Sequence, residues 1–334
     1  MLPNQFLDEL QAQGLVPPEQ AALIRQDEQT RPFSVHYEVR TLLYLGIVLL
    51  TGGLGVLLYQ HIDEIGHGVV VAGMTLLTAA CFGYADRHRA PFTWAEVPRK
   101  GFLPDYVLLL ACLLFLSLEG YVQYQYGIFG TRYGLAVFLP AVLFLWLAYL
   151  FDHRGVLSMA ITALASWLGL SVALLSAFTN NDFRSLSGAA IGLGVALVGV
   201  GLWSEYQARK RHFSFTYVSL GSNLALLAAT ASMLGFYSTS WLSPIAAAAL
   251  ILVMSGFLVW YARRTHSYLF ILMSAVYSYI VVTYIFFQVV KDLKGSDAIL
   301  LLVMLYFLLS GFGAIMLFTN IKRILRITHE PESL

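Results

Sequence analysis

Glu119 is a carboxylate in an otherwise apolar stretch, Ser117-Leu118-Glu119-Gly120-Tyr121. An ionisable side chain inside a membrane span costs up to about 3 kcal/mol on insertion scales, and it is kept where it faces protein or water. Glu119 could therefore carry a proton or a cation, or accept hydrogen bonds from a polar ligand. It could equally be a carboxylate at the membrane interface that accepts hydrogen bonds from neighbouring tyrosines.

Tyrosines accompany Glu119 on the same predicted side of the membrane. Tyr121 and Tyr124 follow it closely, Tyr59 ends the first apolar run, and Tyr284 lies near the end of the ninth. Such a rim could line an aromatic, hydrogen-bonding pocket for a small ligand or a lipid on the outer side. The same residues also suit the aromatic belt that anchors membrane proteins at the interface.

The segment after the first apolar run contains four potential metal ligands, His61, Asp63, Glu64 and His67. Neutral imidazoles and carboxylates suit zinc or another divalent cation. In a helical turn these four side chains would lie within one half of the circumference. Their spacing matches no strong metal motif, however, and solvated turn residues that cap the second span are the simpler interpretation.

Asp63 and Glu64 also raise an enzyme hypothesis. Membrane glycosyltransferases that use polyprenyl-phosphate sugars place catalytic acids in their first outer loop, but they resemble this chain in little else. They carry large extracytoplasmic loops, whereas every predicted outer loop here is short. The chain also lacks the Gly-x-Ser-x-Gly and His-Glu-x-x-His motifs and a phosphate-binding glycine loop. We therefore expect neither catalysis nor a cofactor.

The elements that position these residues are predicted to be membrane helices. Of the 334 residues, 58% are apolar and 12% are charged, whereas about 25% are charged in an average soluble domain. A soluble chain of this length could not bury so much apolar surface. The net charge of +1 gives no sign of nucleic-acid binding. Cys81 and Cys112 lie in apolar runs and indicate neither a disulfide nor a metal site.

Apolar runs of span length follow one another along most of the chain. A bilayer core about 30 Å thick requires roughly 20 apolar residues of helix. One run is too long for a single crossing and divides between Gly235 and Pro244, where small polar residues suit a turn and Pro244 suits the first turn of a new helix. We predict an all-α, polytopic transmembrane bundle of about ten spans, near residues 41–60, 67–85, 105–122, 133–151, 155–178, 185–204, 213–235, 242–262, 267–288 and 298–319.

The basic residues predict the orientation of this bundle. With the N-terminus inside, most of the 20 basic residues fall in cytoplasmic segments, and the outside keeps only Arg132, Arg184, Lys291 and Lys294. The alternation predicts that both termini are cytoplasmic. The basic cluster Arg209–Arg211 is interpreted first as a determinant of topology and second as a contact for anionic lipids.

Small residues four positions apart predict where helices approach closely. Such pairs let two backbones come together and favour a compact bundle rather than a site. They occur at Gly188/Gly192, Ala225/Ala229 and Ser310/Ala314.

Outside the membrane domain, residues 40–321, the chain has two segments. Residues 322–334 form a predicted cytoplasmic tail. Residues 1–39 predict a short cytoplasmic helical hairpin, in which Gly14 ends the first helix and Pro17-Pro18-Glu19-Gln20 opens the second. This hairpin is too small to fold alone, so we expect it to pack on the membrane domain or on a protein partner.

The hairpin and the first span carry a family resemblance. The pattern Leu10-x3-Gly14-Leu15-Val16-x2-Glu19-Gln20-Ala21-x2-Ile24, followed by the Gly-rich run Gly52-Gly53-Leu54-Gly55, resembles the bacterial membrane proteins of the domain-of-unknown-function 2157 family. In that family a Trp- or Asn-rich stretch usually follows the first span, where this chain has Gln60-His61-Ile62-Asp63-Glu64. The resemblance implies a multi-span protein of the bacterial inner membrane and no established activity.

Two classes of function fit these patterns. The first is a non-enzymatic membrane protein with a scaffold, sensor or envelope-maintenance role, which contacts membrane lipids and binds a protein partner through the hairpin. The second is a small-metabolite transporter of the ten-helix drug/metabolite type, built from two inverted halves. Residues 40–178 and 185–320 show no match beyond hydropathy, which favours the first class.

Overall fold

The structure is a computed structural model that describes residues 66–97, 103–130, 133–178, 184–235, 242–291 and 296–324, together with isolated positions before residue 66. The chain divides into two compact units, Met1–Val70 and Val71–Leu334. Apart from those isolated positions, the predicted hairpin and the first span lie outside the described residues, as does most of the tail. Nearly all of the described residues belong to the larger unit.

Within these ranges the chain forms nine α-helices, a single-turn 3₁₀-helix, Arg211–Phe213, and no strand. The predicted all-α class is therefore confirmed. Each predicted span from 67–85 onwards coincides with one helix. In chain order the helices are α1 His67–Arg87, α2 Leu103–Tyr126, α3 Tyr133–Phe151, α4 Arg154–Phe178, α5 Arg184–Tyr206, α6 Ser214–Met233, α7 Pro244–Thr265, α8 Tyr268–Lys291 and α9 Ser296–Ile324.

Eight of these nine helices are long and apolar enough to cross a membrane. The exception in the described part of the chain is α6, whose sequence includes Ser214, Ser222, Asn223 and Ser232. Its polarity has a structural reason, because α6 packs against α4, α5, α7 and α8, and Ser214, Ser222 and Ser232 are buried there. The total of ten spans, with both ends inside, stays a prediction.

The structure describes both ends of the predicted break between α6 and α7, on either side of residues 236–241. Gly235 takes a positive φ of 72°, a conformation that glycine adopts at little cost. Pro244 is the first residue of α7, and the Ser243 side chain accepts a hydrogen bond of 3.2 Å from the backbone N–H of Ala246. A capping serine followed by proline at the first helical position is a strong start signal.

The closest helix contact joins α5 to α6 through glycines. A Cβ atom added at Gly194 would lie 2.6 Å from the Gly221 carbonyl oxygen, and one added at Gly221 would lie 2.7 Å from the Gly194 carbonyl oxygen. The small pair Ala225/Ala229 is buried there, as predicted. The prediction was wrong at Gly192, where a Cβ atom would meet nothing within 4 Å. Spacing alone does not show which face of α5 meets α6.

The apolar side chains form two cores that meet at this contact. One core includes Val218, Ile251 and Phe270 of α6, α7 and α8. The other includes Leu108 and Phe144 of α2 and α3, together with residues of α4, α5 and α6. The large apolar side chains outside the two cores remain exposed on the helix surfaces, as expected where lipid is the solvent.

Candidate functional site

The structure describes only part of the predicted outer rim. Glu119 lies in α2, and its Oε1 atom is buried with no hydrogen-bond partner among the described residues. Tyr121 is partly buried, and Tyr124 is 88% exposed. Tyr284 lies in α8, where its hydroxyl accepts a 2.7 Å hydrogen bond from the amide of Gln288.

The helix contacts do not bring these rim residues into one site. The helix of Glu119, α2, packs mainly on α3 and α4, whereas the helix of Tyr284, α8, packs mainly on α7 and α6. Tyr59 lies outside the described residues. A pocket beside Glu119 therefore stays a prediction.

The predicted metal site is described at one position only. His67 begins α1, whereas His61, Asp63 and Glu64 lie outside the described residues. In the part of the chain that the structure describes, no three His, Cys, Asp or Glu side chains form a group that could hold a metal ion. The predicted ligand set is not tested by that observation.

The best-organised polar cluster lies at the other end of the helices. Four connectors lie at that end: residues 88–97, 152–153, 207–213 and 266–267. Together with the last two turns of the helices that adjoin them, we call them the connector face. At its centre the Lys210 Nζ atom donates a 2.7 Å hydrogen bond to Asp152 Oδ1, with the two side chains 1% and 7% exposed. A lysine this buried requires a partner, and Asp152 supplies the opposite charge.

Backbone geometry holds this ion pair in place. Asp152 and Lys210 both have positive φ, 56° and 49°, which allows two sharp reversals of the chain between helices. The second oxygen of Asp152 accepts the backbone N–H of Val97 at 2.8 Å, and the Lys210 backbone N–H donates to the Trp94 carbonyl at 2.8 Å. One ion pair thus joins three connectors that are distant in sequence.

His212 completes the buried cluster. Its Nε2 atom lies 2.7 Å from Asp152 Oδ1, but it makes no hydrogen bond of acceptable geometry among the described residues. Burial favours the neutral ring and lowers the pKa of His212, although the Asp152 carboxylate acts in the opposite direction. Burial raises the pKa of Asp152, but the hydrogen bonds from Lys210 and Val97 and the nearby positive charges outweigh it and lower that pKa.

These shifts predict two losses of stability on acidification. In the unfolded chain His212 is protonated as the pH falls below about 6.5, whereas in the folded protein its ring stays neutral to lower pH. The free energy of unfolding therefore declines through that window, by at most about 1.4 kcal/mol per pH unit. Asp152 adds stability that is present above its unfolded pKa and is lost as the pH falls through its lower folded value. We expect His212→Gln to remove the first decline, measured by thermal unfolding between pH 5 and pH 8.

The exposed His88 supplies the matched control for that experiment. His88→Gln should leave the wild-type decline unchanged. An identical decline in the wild type and in His212→Gln would contradict the assignment to His212.

A second polar cluster on the connector face surrounds Glu205. Its carboxylate accepts hydrogen bonds from Tyr261 at 3.3 Å and Ser214 at 3.4 Å, and Arg264 lies 3.2 Å from its other oxygen. Arg211 approaches that oxygen to 4.0 Å. This cluster ties the ends of α5, α6 and α7 together.

A pocket of about 440 Å³ opens beside the Lys210–Asp152 pair. It is lined by residues at the ends of α1, α2 and α3 and by residues of the connectors, mainly of 88–97. The lining combines apolar and charged side chains: Tyr84, Ala85, His88, Arg89, Phe92, Asp105, Leu108, Leu150, Phe151, Asp152 and Lys210 among others. Such a lining suits a ligand with both an apolar and a charged part.

No sequence pattern predicted this cluster, because its members lie far apart along the chain. The charge pattern favoured Arg209–Arg211 as determinants of topology and gave no role to Asp152. One signal was available, because Asp152 and Lys210 both lie in connectors of a few residues on the same predicted side of the membrane. Connectors on one side of a bundle come close together, so an acid and a base there are candidates for pairing.

Of three comparisons with known proteins, one found a match, and it agrees with the predicted membrane class. No curated protein and no solved structure matches the chain. The model of a family described as predicted membrane protein, DUF2157, matches residues 8–157. The match extends well past the hairpin and first span that carried the resemblance, and it includes Glu119 and Asp152 but not Lys210. Residues 8–157 of the chain are therefore similar to the DUF2157 family of predicted membrane proteins.

Proposed function

We propose that this chain is a non-enzymatic membrane scaffold whose connector face binds a protein partner. In this proposal the protein lies in the bacterial inner membrane, with the connector face and both termini on the cytoplasmic side. The predicted hairpin, residues 1–39, then lies on the same side and adds a second contact for the partner. The observation that carries the proposal is the buried Lys210–Asp152 ion pair.

This ion pair favours a rigid platform over a moving carrier. A transporter of the drug/metabolite type would rock its two halves, residues 40–178 and 185–320, against each other. Asp152 belongs to the first half and Lys210 to the second, and Trp94 and Val97 of the first half hold the same pair. Separating the halves at this face would leave buried charges without partners, at a cost of several kcal/mol.

The exposed residues of the connector face have the composition of a protein interface. Trp94 and Trp260 are half exposed, and each is stacked by an arginine: Arg209 lies 5.1 Å from the Trp94 ring and Arg264 lies 5.9 Å from the Trp260 ring. Tryptophan and arginine are the residues most enriched among interface hot spots. The cation–π contacts also hold these large side chains in place before binding, which reduces the entropy lost on association.

Spin-label distances test the rigid platform without knowledge of any substrate. Labels at Asp86→Cys and Thr265→Cys, both exposed helix-end positions, report on the two halves once Cys81 and Cys112 are replaced by alanine. We expect double electron–electron resonance in proteoliposomes to give one narrow distance. That distance should not change when a proton gradient is imposed.

Lys210→Met in the same labelled protein is the positive control. Loss of the ion pair should broaden the distance distribution, which demonstrates that the labels detect movement between the halves. Two distance populations in the wild type, with a ratio that responds to the gradient, would refute the scaffold proposal and support the transporter. The enzyme alternative depends on Asp63 and Glu64, which lie outside the described residues.

A further inference from the structure

A polar side chain lies exposed halfway along one helix of the bundle. Asn223 is the tenth of the 20 residues of α6. Its Oδ1 atom accepts a 3.2 Å hydrogen bond from the hydroxyl of Tyr277 in α8, whereas its Nδ2 group donates no hydrogen bond to any described residue. We propose that this surface of α6 binds a second copy of the chain, with Asn223 of one copy paired to Asn223 of the other.

The depth of Asn223 leaves the surrounding lipid without a partner for it. Tyr277, which contacts it, lies nine residues after the start of α8 at Tyr268, in a candidate membrane span. At a rise of about 1.5 Å per residue, that position is about 14 Å from the helix end, close to the middle of a bilayer core about 30 Å thick. Acyl chains offer no hydrogen-bond acceptor there, so the amide needs a partner from protein.

The neighbours of Asn223 along α6 are those of a lipid-facing surface. Phe215, two turns before it, and Leu227, one turn after it, are 41% and 60% exposed. Ser219, one turn before it, is small and partly buried. Residues four apart lie on one face of a helix, so the amide belongs to an apolar stripe with a small residue beside it. Small residues let two membrane helices approach closely, and polar side chains then join them by hydrogen bonds.

The amide of Asn223 is self-complementary, which favours a second copy over a different partner. Two copies inserted in the same orientation are related by a two-fold axis along the membrane normal, and this axis places both amides at one depth. Each Nδ2 group can then donate to the Oδ1 atom of the other copy, which keeps a second lone pair beside the bond from Tyr277. This contact lies within the membrane and does not depend on the scaffold function of the connector face.

Disulfide cross-linking of the full chain in liposomes tests the contact. Leu227→Cys places a thiol one turn from Asn223, after Cys81 and Cys112 are replaced by alanine. We expect mild oxidation to give a covalent dimer. Val253→Cys is the matched control, because Val253 is 70% exposed and lies nine residues into α7, as Asn223 lies nine residues into α6. This control should remain monomeric at the same protein density.

Asn223→Leu separates the effect of the amide from the shape of the surface. Leucine suits lipid, so this variant should fold, but it removes the reciprocal hydrogen bonds. We expect it to raise the dissociation constant of the dimer about tenfold, measured by energy transfer between labelled copies as the lipid is diluted. Asn223→Gln keeps the amide and should retain most of the affinity. Tyr277→Phe only loosens the orientation of the amide and should weaken the dimer less than Asn223→Leu does.

Three results would overturn the proposal. Equal dimer affinity of the wild type and Asn223→Leu would exclude the amide pair. A monomeric wild type that Asn223→Leu destabilises would show that another segment of the same chain binds the amide. A monomeric protein in which Leu227→Cys reacts with a membrane-impermeant maleimide would show that Asn223 faces a water-filled crevice, as in a transporter.

Discussion

Replacing Lys210 by methionine is expected to lower the free energy of unfolding by about 3–5 kcal/mol, the range for removal of one partner from a buried ion pair. Methionine is close to lysine in length and can keep the packing of the alkyl chain near Phe92, whose ring lies 5.3 Å from the Nζ atom. The Asp152 carboxylate would remain buried and lose its shortest hydrogen bond. Equilibrium unfolding in mixed micelles, followed by circular dichroism, measures the change.

Arg209→Met is the matched control, because Arg209 is an exposed cation in the same connector. Loss of its cation–π contact with Trp94 should cost no more than about 1 kcal/mol. The double variant Lys210→Met/Asp152→Asn should be more stable than the sum of the two single losses predicts, since it leaves no buried charge uncompensated. A loss below about 1 kcal/mol for Lys210→Met would contradict burial of the pair.

Alanine at Gly194 is expected to destabilise the contact of α5 with α6 by about 3 kcal/mol, the upper end of the usual cost of overpacking. The added Cβ atom would lie 2.6 Å from the Gly221 carbonyl oxygen and 2.7 Å from the backbone nitrogen of Ala225. Both atoms belong to the backbone of α6, so no side-chain rotation can relieve the overlap. The two helices must therefore separate, and thermal unfolding in detergent should show a lower midpoint.

Gly192→Ala is the control on the same helix, two residues away. Its Cβ atom would meet nothing within 4 Å. Alanine is a better helix former than glycine, so this variant should be neutral or stabilising by up to about 1 kcal/mol. Equal losses in the two variants would contradict the close packing of α5 on α6 at Gly194.

Hydropathy was sufficient to predict the class of the fold and the places where most helices lie. A membrane helix can be predicted from its own apolar residues, without knowledge of the other helices. Every backbone polar group in it forms its hydrogen bond within that helix. The start of α7 was equally local, since Pro244 follows a break in an apolar run. The case of α6 differs. A helix that packs against several other helices can carry polar residues where those helices cover it, so hydropathy alone describes it less well.

The candidate site could not be predicted in the same way. The pairing of Asp152 with Lys210 depends on which connectors meet, and each residue depends on a backbone with positive φ that no glycine marked. Glu119 shows the converse case. An acid within an apolar run is easy to single out in the sequence, but its neighbours in the fold are not. The contacts of α2 and α8 do not bring Tyr284 beside it. A charged residue in an apolar run is readily predicted to be functional, whereas a charged residue in a short polar loop is not.

The polarity of α6 also bears on how the membrane domain is synthesised. A helix with Ser214, Ser222, Asn223 and Ser232 gains less free energy by entering lipid on its own than a fully apolar helix does. We therefore expect α6 to leave the translocon together with α5, as an antiparallel hairpin closed by the short connector 207–213. The glycine contact between Gly194 and Gly221 would then form before α7 is translated. The hairpin of α5 and α6 would thus be the unit of insertion, and later helices would assemble around it.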